Sequence, residues 1–211
     1  MLDDLRTRIA NHPAVRHPLF THLATNPWDT AGWRYFGAQH HHVVKAFPDY
    51  LKSFLERLDS ELRDDLAVVL DDELREDAVH TELQGRLVQD LGGKLDDPPL
   101  PEVENHINWH RAVARDGPIP FVLGTLGLGH EYAIPLIFRQ LISGAPPQAT
   151  PSYLYTHLTQ DPQHTAQFEA VIAKRYSDRL DDIDQGAMAS LGYRATMWTA
   201  IYAAIQAGKH I

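Results

Sequence analysis

Residues 60–93, SELRDDLAVVLDDELREDAVHTELQGRLVQDLGG, decide how this chain folds. Leu62, Leu66, Val69, Glu73, Glu76, His80, Leu83 and Leu87 alternate at spacings of three and four residues, the repeat of one helical face. Gly92-Gly93 is the stop signal, because glycine enters the left-handed conformation that ends a helix without steric cost. The same period recurs on both sides. It runs through Trp33, Gly37, His40, Val44, Phe47, Leu51, Phe54 and Leu58, then Phe121, Gly124, Leu128, Glu131, Pro135, Phe138 and Ile142. It continues through Leu154, His157, Asp161, His164, Phe168 and Val171, and finally through Leu180, Ile183, Ala187, Leu191, Arg194, Trp198, Ile201 and Ile205. Helices are expected over about 2–11, 17–25, 30–58, 60–91, 102–115, 119–142, 152–177 and 179–208, with 95–101 and 143–151 as connectors. No alternating strand pattern competes with them, and no composition break divides residues 1–211. The expected architecture is all-α: a single-domain bundle of about seven helices.

Composition narrows the function. The 211 residues include no cysteine, which excludes disulfide scaffolds, thiolate metal sites and cysteine nucleophiles. Lys and Arg number 19 against 28 Asp and Glu, a formal charge of -9, so nucleic acid and anionic membrane surfaces are poor partners. The first residues, MLDDLRTRIANHP, lack a basic segment followed by an apolar one, and the chain reads as cytoplasmic.

The inner stripes carry acids and imidazoles. Glu73 and His80 lie two turns apart on one face, Glu131 stands alone among apolar neighbours, and His157, Asp161 and His164 cluster at i, i+4 and i+7. A buried ionised carboxylate costs several kcal/mol unless compensated, and no Lys or Arg occupies the adjacent stripe positions. A cation is therefore expected among Glu73, His80, Glu131, His157, Asp161 and His164. Oxygen and imidazole donors without thiolate suit iron or manganese, with zinc also compatible. Pro162, inside this helix, deprives the Leu158 carbonyl of its helical partner.

Glu73-x6-His80, a distant Glu131 and His157-x3-Asp161-x2-His164 resemble the ligand set of the haem-oxygenase-like di-iron oxidases and oxygenases. This superfamily has the CADD/TenA/PqqC-like fold and includes iron-containing redox enzymes. HPLFTHL, YFGAQHHHVVKAFPDYL and EDAVHTELQGRLVQDLG are similar to its helices, so the resemblance covers most of the chain. It implies a haem-oxygenase-like bundle that binds two Fe(II) ions, with Mn as a substitute. It also implies that O2 is activated to modify a small carboxylate-bearing substrate, an amino acid or related metabolite ahead of a fatty acid. The TenA-type thiaminases need a cysteine nucleophile, which is absent. The CADD-like enzymes have a lysine about ten residues beyond the lone glutamate, where this chain has Leu141.

His40 and Arg194 are the candidate substrate-binding residues, because an arginine on an inner stripe can hold a carboxylate through two hydrogen bonds. The alternative for Arg194 is an ion pair with an inner carboxylate. His41 and His42 point away from the His40 stripe and are expected on the surface or in a second layer. A homodimer is the default assembly. Two competing functions are a non-catalytic binding or interaction protein of the same fold, and a haem-handling protein using His12, His17 or His22.

Overall fold

The computed structural model describes residues 2–25, 28–145 and 152–208, with backbone only at 24, 25, 68, 70–73, 76–78 and 152. Nine α-helical stretches are found among these residues: α1 (Leu2–Ala10), α2 (Pro18–Thr25), α3 (Thr30–Leu55), α4 (Ser60–Asp90), α5 (Pro101–Asp116), α6 (Ile119–Leu123), α7 (Ala133–Ile142), α8 (Ser152–Arg175) and α9 (Leu180–Gln206). A π-helical segment, Gly124–Tyr132, joins α6 to α7. Eight ranges are expected for a bundle of about seven helices, and they become nine because the π segment divides the helix expected over 119–142 into α6 and α7. Part of the expected 143–151 connector, residues 146–151, lies outside the described residues.

Local chemistry accounts for the helix ends. The carboxylates of Asp29 and Asp59 accept hydrogen bonds from the backbone N–H of Gly32 and Leu62, at 2.8 and 2.7 Å, capping α3 and α4. Gly92 adopts φ 74°, and the N–H groups of Gly92 and Gly93 reach the carbonyls of Gln89 and Val88, both at 2.8 Å. These are the two hydrogen bonds of a Schellman termination, placed where the Gly-Gly pair predicted it. Helices α3 and α8 continue through Pro48 and Pro162.

The core is continuous from α1 to α9. Trp33, Phe36, Phe54, Phe138, Phe168 and Trp198 are all fully buried in it. Ile119–Ile142 is apolar and long enough to cross a membrane by composition, and 78% of its most apolar window is buried by the other helices. Its closest crossing is with α9. A Cβ at Gly124 would lie 2.0 Å from the Ile183 carbonyl oxygen, and one at Gly186 would lie 2.1 Å from that of Phe121. Only glycine allows two backbones to approach this closely. The crossing fixes the height of the π segment, and with it the position of Glu131.

Gly124→Ala should therefore destabilise the protein by about 3 kcal/mol, since backbone rather than a pliable side chain must yield. Gly192→Ala, where a Cβ meets nothing within 4 Å, should stabilise α9 by roughly 0.5–1 kcal/mol. Urea unfolding of the two variants measures both effects.

Candidate metal centre

Three helical segments meet at the acids and imidazoles. The π segment contributes Glu131, α8 contributes His157, Asp161 and His164, and α4 contributes His80; these five side chains are 1–8% exposed. One ligand atom each from Glu131, Asp161 and His164 lie within 4.8 Å of one another. His164 Nδ1 stands 3.4 Å from Glu131 Oε2. On the other side of Glu131, the His80 and His157 rings approach to 4.6 Å between centroids. Glu131, His80 and His157 line a common cavity of about 20 Å³, together with His40, Val43 and Phe47. That is space for one or two water-sized groups. Glu131 thus belongs to one group of donors with Asp161 and His164, and it lines the same cavity as the His80 and His157 imidazoles.

The tautomer of His157 follows from its partner. Its Nδ1 is 2.9 Å from the Tyr153 carbonyl, which can only accept, so Nδ1 carries the proton and Nε2 offers a lone pair. Burial, with the neighbouring His80 adding to it, lowers His157 to about 3, so the ring is neutral at physiological pH. Carboxylates beside imidazoles, with no sulfur donor, form a hard and borderline donor set suited to iron. Five of the six expected ligands converge in this way. The side chain of the sixth, Glu73 on α4, lies outside the described residues.

The two candidate substrate residues are also buried, at 2% for His40 and 0% for Arg194. Arg194 bonds to no carboxylate; its Nη2 donates to His130 Nδ1 at 2.8 Å. No Lys or Arg shares the stripe positions beside the acids, but α9 brings the Arg194 guanidinium to His130, the residue beside Glu131, whose charge favours the cation. His41 is not on the surface: it is 6% exposed, whereas His42 is half-buried and bonds to the Asp97 carbonyl at 2.7 Å. Gly37 and Gly85 give part of the reason, since their missing side chains let α3 and α4 close over this face.

Sequence reasoning missed three histidines. His106 and His110 continue the inner stripe of α5 with Val103 and Ala114, a pattern that the test applied to the other helices detects. His130 had no such signal. It is drawn inward beside Glu131 because a π turn takes more residues and rotates successive side chains less than an α turn. Immediately before α2, His17 has both ring nitrogens engaged, Nδ1 by the Leu19 N–H at 3.2 Å and Nε2 by Thr199 Oγ1 at 3.0 Å. It offers no lone pair to a haem iron.

Residues 34–195 match the model of a family described as iron-containing redox enzymes. The chain belongs to this family. No curated protein matches the chain. Several solved structures share the fold of this family member at low identity. One is a domain of unknown function with a haem-oxygenase-like fold from Shewanella denitrificans, with 16% identity, 99% of this chain and 95% of that one covered, and TM-score 0.80. A second is a TenA homologue from Pseudomonas syringae, with 15% identity, coverage of 95% and 90%, and TM-score 0.78. A third is a CADD-like protein of unknown function from Nostoc punctiforme, with 16% identity, coverage of 96% and 95%, and TM-score 0.77. At these identities the likeness establishes the haem-oxygenase-like fold.

The buried imidazoles set a pH dependence. Burial holds His40 and His110 at about 3, and His106 and His130 well below the ordinary histidine value. Unfolding restores each to near 6.5. The unfolded chain therefore binds more protons as pH falls below 6.5, and stability that is complete above that value is lost progressively towards pH 3. The metal-free melting temperature should fall steadily between pH 7.5 and pH 5 at constant ionic strength. A flat calorimetric profile would mean that these rings are solvated.

Proposed function

We propose that the protein is a non-haem di-iron oxidase or oxygenase that uses O2 to modify a small carboxylate-bearing substrate. The observation that carries this reading is that Glu131, grouped with Asp161 and His164, also lines a cavity with His80 and His157. Glu131, Asp161 and His164 would hold one cation, and His80 and His157, with Glu73 on the same helix as His80, would hold a second. Two divalent ions would more than compensate the charge of Glu73, Glu131 and Asp161, leaving the site attractive to an anion. When bound, the iron supplies the redox chemistry of O2, which no side chain here could perform.

The chain's own residues do the rest. The Tyr153 carbonyl fixes which His157 nitrogen faces the metal. Val43, Val44, Phe47 and Ile134 wall the cavity with apolar groups and keep bulk water from the reacting atoms. His40 stacks on Phe36 at 5.6 Å and is locked in place on the cavity wall. Of the N-terminal histidines a haem-handling protein would use, His17 has both nitrogens engaged and is unavailable as a ligand.

The test is anaerobic addition of Fe(II) to the metal-free protein, followed by metal analysis and exposure to air. Wild type should retain two iron ions per chain and consume O2. Glu131→Ala should lower retention below one ion per chain while leaving a helical circular-dichroism spectrum. Iron retention unaffected by Glu131→Ala would sink the assignment of Glu131 as a ligand.

A further inference from the structure

Glu131 lines a second cavity besides the one it shares with His80 and His157. This cavity lies among α1, α7 and α8 beside the end of the π segment, and it holds about 360 Å³. Its mouth is at the surface, where Arg139, Pro162 and Ala166 are exposed. Its inner end is buried, with Glu131 at 3% and Thr165 at 5% exposure. The cavity described above, at about 20 Å³, admits only water-sized groups. Glu131 is the residue common to both.

The walls of the larger cavity are fixed by α1. Arg6 Nε donates to Glu169 Oε1 at 2.8 Å, a second hydrogen bond joins Arg6 Nη2 to Glu169 Oε2, and the guanidinium carbon lies 5.9 Å from the centre of the Tyr132 ring. This fork pins α1 against α8 and leaves neither charge uncompensated. With Glu131 and Arg139 the lining holds two carboxylates and two arginines, so it carries no net charge. Selection therefore falls to apolar contact and hydrogen bonding. Pro135 and Leu136 on α7, with Pro162 and Ala166 on α8, supply the apolar surface. The hydrogen-bonding group is Thr165, whose Oγ1 is buried and has no partner among the described residues. A helical threonine commonly returns its hydroxyl to the carbonyl four residues back, as Thr196 and Thr199 do to Gly192 and Ala195. Thr165 makes no such bond, and a buried donor without an acceptor is destabilising. An acceptor atom on an occupant at the inner end removes that cost.

We infer that this cavity is the pocket through which the organic substrate reaches the metal centre, while the cavity of about 20 Å³ takes nothing larger than dioxygen. The occupant is a small molecule with an apolar part seated on Pro135 and Leu136 and an acceptor atom at the Thr165 hydroxyl. Its role as substrate rests on the function proposed above; its binding does not.

The chain has no cysteine, so one introduced thiol reports access to one position. Iron-free protein is used throughout, so failure to bind iron and failure of this pocket are read separately. The probe is methyl methanethiosulfonate, and circular dichroism checks the fold of each variant. Thr165→Cys should react roughly a hundredfold faster than Ile137→Cys, which is fully buried on α7, lines neither cavity and reacts only through local opening. Pro135→Cys, also buried, takes its place if Thr165→Cys does not fold. Adding Leu136→Trp, which fills the pocket, should slow the reaction about tenfold. Sodium butyrate should protect the thiol and sodium glycolate at the same concentration should not, because only butyrate has an apolar chain to bury. In isothermal titration of the cysteine-free protein, Thr165→Val should bind butyrate about fivefold more weakly than wild type. Equal reaction at the Thr165 and Ile137 positions would mean that the cavity admits no small molecule, and no effect of Leu136→Trp would mean that the reagent arrives by another path. Protection by both acids or by neither, or unchanged butyrate affinity in Thr165→Val, would mean that the cavity holds water or any small ion. Each of these results overturns the assignment.

Discussion

Two carboxylates, Glu131 and Asp161, are held close together out of water in the core of a helical bundle, at 3% and 1% exposure. Like charges at such separation in a poorly polarisable interior oppose folding, and a divalent cation between them reverses the sign of the interaction. The rest of the site is arranged around that constraint. His157, whose pKa burial holds at about 3, is a neutral donor rather than a cation and adds no charge beside the acids. The apolar wall of Val43, Val44 and Phe47 preserves the low dielectric that makes the cation's contribution large.

The position of Glu131 depends on a backbone feature. It rides on a nine-residue π-helical segment, whose wider turn directs both His130 and Glu131 into the core. Glycines at 124, 127 and 129 let that wider helix lie against α8 and α9, where a Cβ at Gly127 would come within 2.5 Å of the Phe168 ring and one at Gly129 within 2.8 Å of the Ser190 Cβ. The GTLGLGHEY run thus combines two requirements, close backbone approach and a turn that presents consecutive polar side chains. In a regular α-helix the two neighbours would diverge by about 100°, more than in the wider π turn.

Iron-containing redox chemistry and the haem-oxygenase-like fold follow from the family to which the chain belongs and from the solved structures that it resembles. The particular distribution of polar groups in this chain adds a division of labour. Acids and imidazoles of α4, α8 and the π segment form one pole of the interior, and Arg194 with the histidines of α3 and α5 forms another. His130 and Glu131, adjacent in the chain, stand at the junction.

The helical class, nearly every helix end and the list of candidate ligands were legible in the chain alone, because each depends on local spacing. A residue three or four positions from an apolar one shares its face whatever the rest of the molecule does. Asp29, Asp59 and Gly92 act through hydrogen bonds within one turn. Only the folded molecule decided which faces meet, since that depends on how backbones separated by tens of residues pack. It brought Glu131 to His164 and His80 to His157. It turned His41 inward, replaced an expected α turn by a π turn at His130, and set Arg194 against that histidine rather than against a carboxylate. Helical periodicity specifies an angle about a helix axis; the distance and rotation between axes come from the side chains and glycines at the crossings, and metal and substrate chemistry depends on those distances.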